Sequence, residues 1–465
     1  MSRHTSDLPN SARIVPPDTP EFRAAAAVAA ALEAAGFPTR IVGGSVRDLL
    51  MGETPHDFDL VTAATPEELA KLFPDRKTVG EAFGVSLVRS EEFEFEVATA
   101  REERNYLDGR HPESVRYSRD LAVDVARRDF TVNALLLDPA TGIVSDTAGG
   151  IGDLRAGIIR TVGDPRRRFS EDYLRMLRAV RFAARFDFTL DPAARRAAAE
   201  LASETARLPG ERIRGEIERI LLSPRPATGM ELLSSTGILA AVLPEVEALR
   251  GVAQPPEFHP EGDVWEHTML MLRNLTLTSP RLAWSVLLHD VGKPAAASVD
   301  GNGRIRFFGH ESSGAGIADL VLRRLRFSND DREAIVAAVR NHMRFAAVRE
   351  MREAKLRQMI AAPNFPVELE LHRLDCAACH GKMEGYRFLL DRLAKSPAAT
   401  ALPEPWIRGR DLVAAGIPPQ PAFAEVLKTC FERQLSGEDR DRDSALAYAL
   451  ARFRSPSPAE KTRRG

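Results

Sequence analysis

The stretch "VGGSVRDLLMGETPHDFDL", residues 42–60, sets two glycines before a short apolar helical segment and then two aspartates one residue apart. "HDFDLVTAA" reads as a strand leaving a proline-containing turn. Side chains alternate across a strand, so Asp57 and Asp59 share a face. Two like charges on one face repel, and a divalent cation offsets that better than water does. Mg²⁺ typically takes one or two carboxylates together with substrate phosphates. Gly43 and Gly44, lacking Cβ atoms, let backbone N–H groups approach phosphate oxygens. The stretch therefore reads as a metal–nucleotide site on a mixed α/β scaffold. Each element alone is commonplace, since D-x-D arises by chance and a Gly-Gly turn before a helix is ordinary turn chemistry.

Around this stretch lie 465 residues, enough for two to four domains. A composition of 44% hydrophobic and 28% charged residues is that of a soluble globular chain. Cys376, Cys379 and Cys430 supply no disulfide framework and suit a reducing compartment, hence a cytoplasmic protein. The first twenty residues lack the apolar core of a signal peptide. The Ala-rich run 22–37 is short and interrupted by Glu33, so it reads as a soluble helix and no membrane partner is expected. A net charge of −2 means that a nucleic acid would have to meet a local basic surface. The dense arginines from Arg155 to Arg219 offer one, with a solvated helix face as the lesser, competing account.

Alternating segments such as "RIVGG", "FDLVTA", "GVSLVRS", "FEFEVATA", "TVNALLLD" and "GIVSDT" predict strands up to about residue 150, after which helical spacing dominates. The fold class is α+β: a mixed α/β head followed by all-helical regions. Boundaries follow from punctuation and composition. They give a flexible N-terminus over 1–21, the head over 22–150, a helical neck over 151–251, a helical domain over 252–399, a helical C-terminal region over 400–455 and a disordered tail over 456–465.

Further residues suited to chemistry follow. Glu94 and Glu96 share one face of "FEFEVATAR", as in any half-buried strand. "DVARRDFTVNALLLD" places Arg127, Arg128 and Asp129 before an apolar segment, where an arginine pair can hold a triphosphate while Asp129 and Asn133 meet ribose hydroxyls. In "SEDYLRMLRAVRFAARF" Ser170 can cap a helix. Asp172 and Arg175 stand one turn apart, as a base-edge reader or as a plain i,i+3 salt bridge.

Taken in order, "GGSVRDLLMG…DFD", "EVATAREERNYLDGRHPESV", "RRDFTVNA", "VGDPRRRFSEDYLRMLRAVRFAARF" and "ERIRGEIERIL" resemble the class II tRNA nucleotidyltransferases, the CCA-adding enzymes, and the related bacterial poly(A) polymerases. The resemblance implies that Asp57 and Asp59 bind catalytic Mg²⁺ with Glu96 as third carboxylate. It implies that Gly43, Gly44 and Arg47 hold the triphosphate and that Arg128, Asp129 and Asn133 meet its sugar and phosphates. Glu171, Asp172 and Arg175 match the motif that reads the base of CTP or ATP, and Arg178 joins the nucleotide-binding set. The partners implied are tRNA, CTP and ATP. The family's flexible loop is kept at Thr99, Arg101, Tyr106, Asp108, Arg110 and Pro112, whereas Ala100 and Arg104 stand where relatives carry Phe and Gly, and Glu103 replaces Asp. The reading is template-independent addition of C, C and A to the tRNA 3′ end, with A-only or poly(A) addition as the alternative, against which the kept loop weighs. A third possibility is a hydrolase with a non-catalytic RNA-binding head.

The second half resembles the HD phosphohydrolase domain. Seven of the ten histidines lie after residue 258. "HPEGDVWEHTMLMLRNL", "AWSVLLHDVGKP", "RFFGHESSGA", "RNHMRF" and "HRLDCAAC" supply His267, His289, Asp290, His310, His342 and Asp375. The resemblance implies one or two divalent ions of unspecified identity, with Asp290 bridging in the binuclear variant. Cys376 and Cys379, with His372 and His380 nearby, superficially suggest zinc. Without a second cysteine pair, the spacing reads as two small buried residues on a helix. "WIRGRDLVAAGIPPQPAFAEVL", near the C-terminus, resembles an RNA-contacting helical segment of the CCA-adding relatives, or else is plain helix packing.

Overall fold

The structure, a computed structural model, describes residues 13–55, 57–78, 84–106, 112–257, 259–276, 279–379, 381–395 and 401–454. Two compact units divide the chain, one of residues 1–248 with 321–327 and one of residues 249–320 with 328–465.

The first unit opens with the helix Pro20–Ala34, whose first turn is capped by Thr19 accepting from the Phe22 N–H at 3.2 Å. The helix thus starts inside the stretch expected to be a flexible N-terminus. Residues 13 and 14 are also tied down, because the Ile14 N–H donates to Gly142 O at 2.8 Å. Strands β1 (Thr39–Val42), β2 (Asp59–Thr62), β3 (Lys77–Thr78), β4 (Val85–Ser90) and β5 (Phe93–Thr99) follow; β6 (Arg101–Tyr106) and β7 (Pro112–Tyr117) pair only with each other. β8 (Leu135–Leu137) and β9 (Val144–Asp146) complete a seven-stranded sheet of order β3-β4-β5-β2-β1-β8-β9. Only the β2–β5 pairing in it is parallel, with Leu60 opposite Val97. Alternation holds along β5: Phe95 and Val97 are buried while Glu94 and Glu96 face solvent.

"TVNALLLD", expected to be one strand, begins as a 3₁₀ turn over Thr131–Asn133 and is extended only from Leu135. The neck then places the helix Leu174–Phe186 against the helix Gly210–Leu221. Residues after 150 are not wholly strandless, since β10 (Ile158–Ile159) pairs with β11 (Thr189–Leu190) in two-residue segments.

In the second unit, β12 (Ala297–Val299) and β13 (Ile305–Phe307) form a small hairpin among helices. The helix Pro280–Leu288 packs on Asn329–Asn341 and on Phe365–Ala378, and Val264–Arg273 packs on the first and last of these. The C-terminal helices Gly409–Ala414, Ala422–Ser436 and Arg442–Arg454 share a core of Ile407, Leu412, Cys430, Ala445 and Ala449. No helix among the described residues is long and apolar enough to cross a membrane.

Candidate active sites

In the head, Phe58 is buried and fixes the strand register, so Asp57 and Asp59 on either side of it face out. The parallel pairing of β2 with β5 sets Glu96 beside Asp59, one residue before the Leu60–Val97 pair. Burial, then the Glu96 charge, push the Asp59 carboxyl up to about 6, and Asp57 adds to the rise while Arg128 opposes it. The three carboxylates thus repel one another across an open face, the donor set that suits a hard divalent cation. Gly43 closes the floor. Its φ of +85° is a conformation that L side chains rarely adopt, and a Cβ there would stand 3.2 Å from Arg128 Nη1 and 3.9 Å from Asp59 Oδ2.

Several other head residues expected to meet the nucleotide are engaged behind this face. Arg47 is only 3% exposed. It donates to Asn133 Oδ1, pairs with Asp48, and lies over the rings of Phe182 and Phe186 at 5.3 and 4.7 Å. Asp129 accepts from Arg178 Nε at 2.8 Å, Asn133 Nδ2 at 3.0 Å and the Phe130 N–H at 2.8 Å. Burial works against its charge, but Arg178 and these hydrogen bonds hold its carboxyl below the usual range. Arg127 and Arg128 both grip Asp124, which is fully buried and which sequence reasoning overlooked despite its i,i+4 spacing to Arg128. Gly44 opens the helix Gly44–Leu50 next to Arg47, whose guanidinium would stand 3.2 Å from a Cβ there.

The base-reading motif departs from its expected local geometry. The neck helix Pro165–Glu171 is capped by Asp164, so Ser170 lies inside it and does not cap its start. Asp172 breaks the helix with an extended backbone, and its side chain accepts from the Leu174 N–H at 3.0 Å. It therefore pairs not with Arg175 but with Arg212 Nη2 at 3.0 Å, from the helix Gly210–Leu221. Arg175 instead donates to Glu171 at 2.8 Å, as does Arg168 at 2.7 Å. In the loop motif, Thr99 Oγ1 donates to Ala64 O, Ala100 is fully buried, and Tyr106 and Pro112 lie on β6 and β7. Asp108, Arg110 and His380 fall outside the described residues.

The second unit gathers the histidine–aspartate set about a cavity of about 910 Å³ lined by His289, Asp290, His310, His342 and Asp375. The Nδ1 atoms of His289, His310 and His342 lie 2.8, 2.8 and 2.6 Å from the carbonyls of Val286, Phe307 and Val339. A carbonyl only accepts, so each Nδ1 carries the proton and each Nε2 presents a lone pair inward. His310 Nε2 and His342 Nε2 then face each other at 3.1 Å. Two buried lone pairs at that distance require a shared proton or a cation. Burial pushes His342 down to about 4, which disfavours the proton.

Asp290 supports the cation. Its two oxygens are buried: Oδ1 has no hydrogen-bond partner among the described residues and stands 3.5 and 3.7 Å from the Nε2 atoms of His310 and His342, while Oδ2 stands 3.0 Å from that of His289. Lys293 Nζ, 2.7 Å from Oδ2, is a further member that "HDVGK" spacing could have disclosed. His267 Nε2 lies 3.2 Å from Asp375 Oδ1. Two donor triads result, His267–His289–Asp290 and Asp290–His310–His342, with Asp290 common to both. These residues fit divalent metal.

Comparison with known proteins gives three consecutive family matches: the poly A polymerase head domain over residues 39–160, the probable RNA- and SrmB-binding site of polymerase A over 187–249, and the HD domain over 263–362. The CCA-adding enzyme of Leuconostoc mesenteroides is 41% identical over 212 residues, 46% of this chain and 53% of that protein. That of Geobacillus thermodenitrificans is 36% identical over 273 residues, 59% of this chain and 64% of its own length. The chain thus spans between half and two-thirds of these relatives. The crystal structure of Bacillus stearothermophilus CCA-adding enzyme in complex with CTP superposes with a TM-score of 0.69 at 26% identity, over 94% of this chain and 98% of that one. The Thermotoga maritima CCA-adding enzyme complexed with tRNA shares the fold with a TM-score of 0.57 at 21% identity.

Proposed function

We propose that the chain is a nucleotidyltransferase built on the poly A polymerase head, here with an HD domain, and that it adds C, C and A to the 3′ end of tRNA. The donors are CTP and ATP, diphosphate leaves, and no nucleic-acid template is read. The observation that carries this reading is the outward set of Asp57, Asp59 and Glu96 beside the Gly43 turn, with Asp59 raised to about 6 by its setting.

Asp57, Asp59 and Glu96 would hold Mg²⁺, which when bound activates the primer 3′-hydroxyl and neutralises charge on the leaving diphosphate. Gly43 lets the triphosphate approach the backbone, and Arg128 directs Nη1 past it. Arg47, Asp129, Asn133 and Arg178 form the wall that keeps this face in place. Asp172 accepts from the exocyclic amine of cytosine or adenine, and Arg175 donates to a ring nitrogen or carbonyl. Uracil and guanine put a carbonyl where the amine would be, so acceptor would meet acceptor. The decisive assay supplies tRNA ending at the discriminator base with CTP and ATP singly and together. Addition of two C with CTP alone, completed by A when ATP is present, is the expected result. A-tailing without CTP would instead assign a poly(A) or A-only polymerase.

A second reading concerns the HD domain, favoured by the opposed lone pairs of His310 and His342. His267, His289, Asp290, His310, His342 and Asp375 would hold one or two divalent ions and support hydrolysis of phosphoesters. Absence of hydrolysis with Mg²⁺, Mn²⁺, Ni²⁺ or Co²⁺ supplied in turn would reduce the domain to a structural support.

A further inference from the structure

On the far side of His267 from Asp290 lies a second convergence of donors. Helix Val264–Arg273 begins just after the loop carrying His259 and Glu261, and the C-terminal end of helix Phe365–Ala378 brings Cys379 against that loop. His259 and His267 both present Nδ1, 2.9 and 2.7 Å from Glu261 Oε1. Cys379 Sγ stands 3.5 Å from the first nitrogen and 3.7 Å from the second. Metal–ligand lengths of about 2.0–2.3 Å imply tetrahedral edges of about 3.3–3.6 Å for a zinc bound by nitrogen, oxygen and sulfur. The sulfur edges are already near that length and the oxygen edges are short by about half an ångström, as expected where hydrogen bonds occupy the place of a cation.

Hydrogen bonding alone leaves this cluster incompletely satisfied. Glu261 is nine-tenths buried, and its other oxygen, Oε2, has no hydrogen-bond partner among the described residues. Orienting His267 needs Glu261 alone and gives no role to His259 or Cys379, whereas four donors of three kinds converging on one point suit a borderline-soft cation.

We propose that His259, Glu261, His267 and Cys379 form a zinc site separate from the histidine–aspartate centre, with His267 common to both. Binding releases the Cys379 thiol proton and leaves each histidine with its ring proton on Nε2, freeing Nδ1 to ligate. With Nδ1 on zinc, His267 keeps Nε2 turned toward Asp375 and His289. With both centres filled, His267 would also give up its Nε2 proton to solvent and the ring would bridge the two cations as an imidazolate. The pairing suggested by the Cys376–Cys379 spacing is replaced, because Cys376 Sγ lies by His372 instead, at 3.6 Å.

Cobalt distinguishes the two centres, because only a thiolate ligand gives an intense near-ultraviolet sulfur-to-cobalt charge-transfer band. The full-length protein, stripped with chelator and titrated with Co²⁺, should develop this band and lose it on adding Zn²⁺. Cys379→Ser should abolish the band and lower bound zinc by one ion per chain, while nucleotide addition and the circular dichroism spectrum stay unchanged. His259→Gln should weaken zinc binding by tenfold or more. His289→Ala with Asp290→Ala should remove phosphohydrolase activity yet keep the band, so failure of the HD reading is separable from failure of this one. Cobalt uptake without a band, or a band that survives Cys379→Ser, would overturn the proposal and leave Glu261 as the hydrogen-bond partner that orients His267.

Discussion

The head and the HD domain solve one problem, holding anionic or lone-pair donors together, in opposite ways. In the head, Asp57, Asp59 and Glu96 stay in water, and among the described residues the tightly closed donor clusters all belong to the second unit. Repulsion there is tolerable because solvent screens it; partial burial first, and the neighbouring carboxylates second, raise Asp59 to about 6. In the HD domain His289, His310 and His342 are buried, each of these rings is held by a backbone carbonyl, and two of their nitrogens face each other at 3.1 Å. Buried groups without partners are costly, so that arrangement persists only if something fills it. The contrast teaches that solvent-facing carboxylates can stand together without an ion, whereas the buried, opposed nitrogens of the HD domain leave a gap suited to a cation.

The largest effect tests that independence. Asp57→Ala or Asp59→Ala should lower nucleotide addition by about a thousandfold or more, since charge stabilisation at phosphorus is worth several kcal/mol. Metal content and phosphoester hydrolysis in the HD domain should be unaffected. His289→Ala with Asp290→Ala should do the reverse. Loss of both activities in either variant would break the comparison, because it would mean one shared site.

Next in size is the buried wall behind the head face. Arg47→Ala removes the cation between Phe182 and Phe186 and leaves Asn133 Oδ1 and Asp48 short of a partner. A loss of about 2–4 kcal/mol in chemical denaturation of the first unit is expected. A substitution that instead raised the KM for CTP while leaving stability unchanged would make Arg47 a direct phosphate ligand.

Smaller again is Arg212→Ala. It frees Asp172, so discrimination against UTP should fall by about tenfold while the rate with CTP drops less. Arg212→Lys should restore part of it, which a merely structural loss would not. Unchanged selectivity would leave the Asp172–Arg212 pair as a tie between two neck helices.

These residues also mark where the sequence was legible. Strand alternation around Phe58 and Phe95 disclosed which carboxylates face out, because period-two burial is a local property. The helix break at Asp172 was not legible, since nothing in "SEDYLRMLR" says that the Asp172 side chain turns onto the Leu174 N–H. Arg212 lies forty residues beyond its partner, and Cys379 lies 120 residues from His259, whereas spacing rules compare only near neighbours. Arg47 could be read as a phosphate ligand because the rings that enclose it come from a helix more than a hundred residues later. The histidine set was readable as residues, but its opposed nitrogens appear only once three Nδ1 atoms are seen bound to backbone carbonyls.

The smallest effect concerns the stability of the metal-free head. Asp59 has a folded pKa of about 6 against an ordinary value of 3.8, so between these limits the folded state holds the proton more tightly than the unfolded one. The stabilisation from that proton is fully present below the unfolded value and is lost as pH rises through about 6. At pH 7.5 without Mg²⁺ the ionised Asp59 therefore works against the fold, by about 1 kcal/mol or less because its side chain is exposed and screened. Asp59→Asn should raise the melting temperature there by about 1–3 °C, with the gain shrinking toward pH 4. Mg²⁺ should close the gap from the other direction, stabilising the wild type more than the variant. Thermal melts across pH 4–8, with chelator and with Mg²⁺, provide the measurement. If the variant melts below the wild type at pH 7.5 in chelator, the Asp59 carboxylate is stabilising without metal, and the head is as preformed as the HD domain.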